Sequence, residues 1–401
     1  MKEIHKSYKF RIYPTKEQEV LMSKHFGCSR FVFNHFLSVR KEQYLNDKTS
    51  LNYYDNASSL TQLKKEGETE WLREVNSQSL QAAIRNLDTA YKSFFNKQNQ
   101  FPKFKSKHNK QSFNVPQNVL IEEGVLMIPK FKKGIKAKTH REIHGKILFA
   151  TISKNTTGKY YASVTCEESY EPLKKTGKSV GIDLGIKDFA ILSDGKVYKN
   201  IKPLKTRLKK LKYNQRQLSK KEKGSESRNK QKQKLGVVYE KITNIRTDYL
   251  HKISTEIVKN HDIISVENLN VKGMMKNHKL AQAIADVSWS KFNAMLEYKS
   301  KWNNKEYVKI DRWFPSSKTC SSCGWINQSL ELKHREWTCD GCGETHDRDI
   351  NASKNILKQG LNIINCVSGT DSQSKQKRNE ALPSGESVTS ETQIVALGVT
   401  G

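Results

Sequence analysis

Two CxxC knuckles constrain this chain more than any other feature. Cys320 and Cys323 are followed, after about fifteen residues, by Cys339 and Cys342, within KTCSSCGWINQSLELKHREWTCDGCGETHDRDINASKNI at residues 318–356. Thiolates at this spacing gather round one tetrahedral zinc ion, so the stretch must close into a small metal-stapled loop with a structural role. Asp347-Arg348-Asp349 follows a few residues later, at the start of a helix-like run, and carboxylates are ligands for harder ions such as Mg²⁺. The fold therefore has to place a soft-metal staple beside a hard-metal site. The other cysteines, Cys28, Cys166 and Cys366, are scattered, which is the pattern of a reduced, cytoplasmic protein and not of a disulfide framework.

Charge narrows the partners. The formal net charge is +30, from 71 Lys and Arg against 41 Asp and Glu, far more than solubility needs and self-repelling unless a polyanion is bound. No run approaches the roughly 18 apolar residues of a spanning helix, and the opening MKEIHKSYKFRIYP lacks the apolar core of a signal peptide. Aromatic and basic residues interleave in Tyr8-Lys9-Phe10-Arg11 and Phe101-Pro102-Lys103-Phe104-Lys105, which suits base stacking together with phosphate contact. Between Lys202 and Lys234 stand fourteen Lys or Arg against two acids, a basic ridge at a density that favours phosphate contact over a merely solvated face. Nucleic acid is the expected partner and a membrane is not.

Hydrophobic periodicity divides the chain. Residues 6–14 alternate as a strand ended by Pro14, and Thr15 caps a helix. Apolar residues then recur at helical spacing to Leu45, with Gly27 expected to mark a turn between two helices. A second helical region runs from about Ser58 to Asn96 and reads as a bundle. From Phe101 short alternating segments predict an antiparallel barrel or sheet of five to seven strands, to which the first strand could return, with a turn at Asn155–Gly158. Val180-Gly181-Ile182-Asp183-Leu184-Gly185 reads as a buried central strand ending in a carboxylate, followed by further strands around Ser193-Asp194-Gly195. A long helical segment from Leu204 to about Lys259 breaks at Gly224-Ser225. His261–Glu267 is a second buried strand ending in an acid. A helix at Ser288–Trp302 and a strand at Tyr307–Ile310 lead to the knuckles. Residues 367–401 are polar and aperiodic, as in a disordered tail.

Asp183, Glu267 and Asp349 each stand at a strand or helix end, 84 and 82 residues apart. Only a fold can gather them, and once gathered they would repel one another unless divalent cations intervened. Two such ions would bracket a scissile phosphate. Each acid also has a plainer reading. The glycines around Asp183 suit a phosphate loop of an actin-like nucleotide-binding fold or a tight turn. Glu267 could be a surface acid, and Asp349 could cap the following helix. Asp347 competes with Asp349 as a ligand, although the two point about 200° apart on a helix.

Taken together, Gly181-Ile182-Asp183-Leu184-Gly185, Val266-Glu267-Asn268-Leu269, Pro315-Ser316-Ser317-Lys318-Thr319-Cys320-x-x-Cys323-Gly324, Cys339-x-x-Cys342-Gly343 and Asp347-Arg348-Asp349-Ile350-Asn351-Ala352 resemble the TnpB (OrfB) proteins of transposons, relatives of type V CRISPR effectors. The segments Tyr8–Thr15, Phe26–Asn34 and Phe101–Lys105 are similar to the same family, so the resemblance covers the chain from Tyr8 to Leu357. It implies an α/β multidomain architecture. A RuvC-like core of RNase H fold would occupy residues 176–318 and 344–366, with a zinc knuckle at 319–343. A wedge-like β-barrel at residues 1–14 and 101–175 would be interrupted by a helical recognition unit at 15–100.

The resemblance also implies a function. Asp183, Glu267 and Asp349 would be the catalytic Mg²⁺-binding triad, with Asp349 chosen over Asp347 because it immediately precedes Ile-Asn-Ala. Cys320, Cys323, Cys339 and Cys342 would hold structural zinc. A non-coding guide RNA from the transposon end would direct cleavage of double-stranded DNA beside a short motif read by the protein, in a complex with one protein copy. Tyr54, Ser58 and Gln81 are the positional candidates for motif reading. Base pairing then carries the sequence information while the basic protein holds the backbone. Two other functions stay open at this point: an RNA-guided DNA-binding repressor or transposition accessory that does not cut, and a nuclease for branched DNA that needs no guide.

Overall fold

The computed structural model describes residues 1–331 and 333–369. Most of the expected disordered tail, from residue 370 onward, lies outside the described residues. The described residues form two compact units, residues 3–170 and residues 171–369 with Met1 and Lys2. Among the described residues no helix is long and apolar enough to cross a membrane.

In the first unit β1 (Lys2–Tyr13) precedes α1 (Lys16–Asp47), α2 (Tyr53–Leu63), a 3-10 segment (Gly67–Glu74) and α3 (Ser77–Phe95). Six strands follow: β2 (Gln111–Val115), β3 (Leu120–Glu122), β4 (Val125–Met127), β5 (Ile135–Lys138), β6 (Lys146–Lys154) and β7 (Tyr160–Tyr170). All seven strands join in one sheet in the order β2-β6-β7-β1-β5-β4-β3. The first strand does return to the later ones, inserted between β7 and β5 and antiparallel to β5 with Ile12 opposite Ala137. Its alternation is the reason: Tyr8, Phe10 and Ile12 are buried in the sheet's core while Lys9 and Tyr13 are exposed.

Thr15 caps α1 through a capping box with Gln18. The expected turn at Gly27 is absent, because Lys16–Asp47 is one continuous helix. A glycine costs a helix only about 1 kcal/mol, and burial outweighs it. Met22 and Phe26 pack into the sheet's core, while Val32, Phe33, Phe36 and Leu37 pack against α2 and α3. The region from Ser58 to Asn96 is correspondingly two helices joined by the 3-10 segment, with Asn52 and Asn76 capping α2 and α3.

The second unit carries β8 (Ser179–Leu184), β9 (Asp188–Leu192), β10 (Val197–Lys199), α4 (Pro203–Ser219), α5 (Glu226–Asn260), β11 (Ile263–Val266), α6 (Val271–Met274), α7 (His278–Val287), α8 (Trp289–Trp302) and β12 (Glu306–Lys309). The small strands β13 (Glu336–Thr338) and β14 (Thr345–Asp347) and the helix α9 (Arg348–Gly369) complete it. Five strands make a mixed sheet in the order β10-β9-β8-β11-β12. β9 runs antiparallel to β8 and β10, whereas β11 is parallel to β8 and β12. Parallel neighbours need crossovers, which α4–α5 and α6–α8 provide.

α9 lies directly on β8 and β11. A Cβ at Gly181 would stand 2.0 Å from the Ser353 carbonyl oxygen, and one at Gly360 would stand 1.9 Å from Ser265 Oγ. Neither Gly181 nor Gly185 has a positive φ. The glycines flanking Asp183 therefore serve close approach, of the α9 backbone at Gly181 and of the Asp188 carbonyl at Gly185, and not a left-handed phosphate-binding loop.

Candidate active site and metal centre

Asp183 is the penultimate residue of β8, and Glu267 directly follows β11. The parallel register pairs Ile182 with Val266, so the next residue on each strand is one of these two acids. Asp349 is the second residue of α9. Asp347 does the capping instead: its Oδ1 accepts the amides of Asp349 at 3.0 Å and Ile350 at 2.9 Å. The Asp349 carboxylate is thus not taken up in capping, and the alternative reading of Asp349 as a cap does not hold.

The three acids form one electrostatic cluster. Burial, then the charges of Glu267 and Asp349, push the Asp183 carboxyl well above its ordinary value, with Arg348 opposing. Burial likewise raises Glu267, against a hydrogen bond from Ser316 Oγ to Oε1 at 2.6 Å. Asp349 receives Arg335 Nη1 at 3.3 Å and Arg348 Nη2 at 3.2 Å. Asp183 and Glu267 are thus carboxylates held buried at one sheet end, with Asp349 close enough to act on Asp183 through its charge. Ser316, Arg335 and Arg348 escaped the sequence reading; each lies in or near a recognised motif, but nothing local said which side chain would turn toward the acids.

The four knuckle thiols converge. Their sulfurs all lie within 4.8 Å of one another, with Cys320 to Cys342 at 3.7 Å and Cys323 to Cys339 at 3.6 Å. A tetrahedron with metal–sulfur bonds of about 2.3 Å has edges of about 3.8 Å, so the donor set fits zinc. Each knuckle closes in the same way: Gly324 N donates to Cys320 O and Gly343 N to Cys339 O, at φ of 84° and 74°. Such positive values suit only glycine without strain. Burial works against ionising Cys320, yet the amides of Cys323 and Ser322 and the imidazole of His346 hold its thiol down at about 6. His346 Nε2 lies 3.0 Å from Cys320 Sγ, a contact the motif did not reveal.

Removing the metal should be costly here. Cys339→Ser, or exhaustive chelation, is expected to strip zinc and lower the melting temperature, because among the described residues the knuckle's apolar core is no more than Leu330, Trp337 and part of Trp325 around the cysteines. Metal content by atomic emission and melting by calorimetry check this; unchanged zinc in the Cys339 variant would contradict the ligand assignment.

The remaining candidates are on the surface. Tyr54 is 79% exposed on α2, and Ser58 and Gln81 are exposed on α2 and α3 of the first unit. The basic ridge falls on α4, α5 and the turn between them, with Lys209, Lys212, Lys221, Lys223 and Lys232 exposed. The α4 N-terminus has no side-chain cap of its own and borrows Asp286 of α7, whose carboxylate accepts the Leu204 amide at 3.1 Å and is paired with Arg246. Thus the ridge is anchored to the unit that carries the acids.

Family models described as "Probable transposase", "Cas12f1-like, TNB domain" and "Helix-turn-helix domain" match residues 161–278, 289–356 and 1–49. A protein of Streptomyces pristinaespiralis is 37% identical over 403 residues, covering 100% of this chain and 99% of that one. The chain belongs to the TnpB (OrfB) family. The Streptomyces relative is named "Putative RNA-guided DNA endonuclease". A family member from Escherichia coli, "Putative RNA-guided DNA endonuclease InsQ", is 33% identical, covering 90% of this chain and 93% of its own. Among solved structures, the Cas12f1-sgRNA-target DNA complex aligns with a TM-score of 0.48 at 14% identity, over 88% of this chain and 99% of that one. Similarity that slight carries no argument, and the description of the fold rests on the strand order itself.

Proposed function

We propose that this TnpB-family chain is an RNA-guided DNA endonuclease of an insertion-sequence transposon, cleaving double-stranded DNA by metal-dependent phosphodiester hydrolysis. The observation that carries the chemistry is the placement of Asp183 and Glu267 one residue beyond the paired Ile182 and Val266 at the same end of the mixed sheet, with Asp349 in the first turn of the helix packed on it. The order β10-β9-β8-β11-β12, with an acid on β8, another after β11 and a third on the packed helix, supports a RuvC-like core of RNase H fold. By the family parsing that core comprises residues 176–318 and 344–366, with the knuckle at 319–343. The wedge-like barrel and the helical recognition unit then occupy the first unit.

Asp183, Glu267 and Asp349 would hold divalent cations, most suitably Mg²⁺, and the chemistry these would supply is polarisation of the scissile phosphate and activation of water. The protein's own contribution is positional. Ser316 orients Glu267, and Arg348 keeps a fixed positive charge among the acids, where it can also meet a phosphate oxygen. The basic ridge holds nucleic-acid backbone, and its contribution weakens with salt. Tyr54, Ser58 and Gln81 are proposed readers of the DNA motif, supported by their exposure on adjacent helices.

The test is purification of the full chain from its native host, sequencing of co-purified RNA, and incubation of that ribonucleoprotein with plasmid targets in Mg²⁺. We expect one discrete RNA and guide-dependent double-strand cleavage that stops in EDTA. Cleavage without RNA would select the branched-DNA nuclease. Guided binding without cleavage would select the repressor or accessory reading, against which three intact carboxylates already speak.

A further inference from the structure

The loop from Pro315 to Ser321 carries backbone groups that no strand of the sheet satisfies, and two buried asparagines of α9 meet them. Asn351, 1% exposed, accepts the Ser321 amide at 2.8 Å and donates to the Thr319 carbonyl at 2.7 Å. Asn355, 2% exposed and one helical turn later, donates to the carbonyls of Thr319 at 2.5 Å and Ser316 at 2.9 Å. Thr319 and Ser321 flank the first zinc ligand, Cys320. Ser316, 6% exposed, gives its hydroxyl to Glu267. On the other side of the knuckle, His346 touches Cys320 Sγ, and the next residue, Asp347, caps the turn that carries Asp349. The sulfur offered to zinc and two carboxylates at the sheet end are thus joined by hydrogen bonds through a short stretch of intervening backbone, half-buried on the Ser316 side and exposed at Asp347.

We propose that Asn351, Asn355 and Ser316 are positioning residues that couple the two metal centres, so that occupancy of the thiol site sets the affinity of the carboxylate site for divalent cations. The proposal rests on the reading of Asp183, Glu267 and Asp349 as a cation site. Physically, the Asn351 and Asn355 side chains supply partners that the loop's backbone amide and carbonyls would otherwise lack, which holds the loop against α9. Loss of zinc frees the loop, and with it the hydroxyl that orients Glu267 and the cap that orients Asp349. Coupling of this kind is reciprocal.

Cation binding tests it without cleavage. The full chain, carrying Co²⁺ in place of zinc, is titrated with Mn²⁺ while free Mn²⁺ is followed by electron paramagnetic resonance and the thiolate-to-cobalt band by absorbance. Ser316→Ala is expected to weaken Mn²⁺ binding about tenfold, the lower end for losing a partner behind a metal ligand, with the cobalt band unchanged and with Ser316→Thr restoring affinity. Asn355→Ala is expected to weaken Mn²⁺ and also to speed cobalt loss to a chelator, while Asn355→Gln only partly rescues. Mn²⁺ affinity unchanged in both Ser316→Ala and Asn355→Ala would overturn the proposal, as would metal-stripped protein that stays folded by circular dichroism and binds Mn²⁺ like the loaded form. Coupled binding without guided cleavage would refute the nuclease reading and leave the coupling standing.

Discussion

Asp183→Asn is expected to abolish cleavage, by at least about a thousandfold, and at the same time to raise the melting temperature of the protein measured without divalent cations. The loss follows from removing one of three ligands to ions that supply several kcal/mol of transition-state stabilisation, where each 1.36 kcal/mol is a factor of ten. The gain follows from the electrostatics. Burial and the neighbouring charges of Glu267 and Asp349 raise the Asp183 carboxyl well above its ordinary value. A group whose folded value is raised favours the folded state at low pH, and that contribution disappears as pH climbs through the raised value. Above that raised value the ionised cluster opposes folding until cations bind, and a neutral amide of the same shape relieves it. Each kcal/mol relieved is worth about 2–4 °C in a unit of this size. Mg²⁺ should raise the melting temperature of the wild type and leave that of the variant almost unmoved. Calorimetry with and without Mg²⁺, beside a plasmid assay with bound RNA, reads both effects. Full cleavage would sink the site assignment; a variant that melts lower would sink the electrostatic account.

Gly181→Ala carries the second large effect, on stability. The added methyl would stand 2.0 Å from the Ser353 carbonyl oxygen and 2.6 Å from the Leu357 amide nitrogen. Both are helix backbone, which cannot rotate away as a side chain could. Overpacking of this sort costs about 1–3 kcal/mol and sometimes more, and we expect about 3 kcal/mol here because α9 would have to lift from β8. Cleavage should fall with it, since the same helix carries Asp349. Gly27→Ala is the control. Nothing lies within 4 Å of a Cβ there, so the alanine should stabilise α1 by about 0.5–1 kcal/mol. Urea denaturation of both variants decides the matter; equal effects would mean that α9 does not sit on β8 as described.

Much of this was readable in the chain. Period-two alternation in Tyr8, Phe10 and Ile12 predicted β1, Thr15 predicted the cap of α1, and the Gly224-Ser225 break predicted where α4 gives way to α5. These are local signals, in which a residue's own sterics or hydrogen bonding sets the backbone. Gly27 misled for the same reason. Its local preference for a turn is worth about 1 kcal/mol, and burial of Phe26, Phe33 and Phe36 along one face of α1 outweighs it. Gly181 misled differently, because the partner that requires it is a helix more than 160 residues later in the chain.

The sequence by itself determined the chemical inventory. It supplied four thiols at zinc spacing, three acids at element ends and a charge of +30, because ligand type and net charge belong to residues and not to their arrangement. Only the tertiary structure decided how that inventory is used. Asp347 became a helix cap and Asp349 kept its carboxylate, Ser316 turned to Glu267, and Asn351 and Asn355 bound the knuckle loop to the helix. Those roles depend on which buried polar groups lack partners, and burial exists only after distant segments have met.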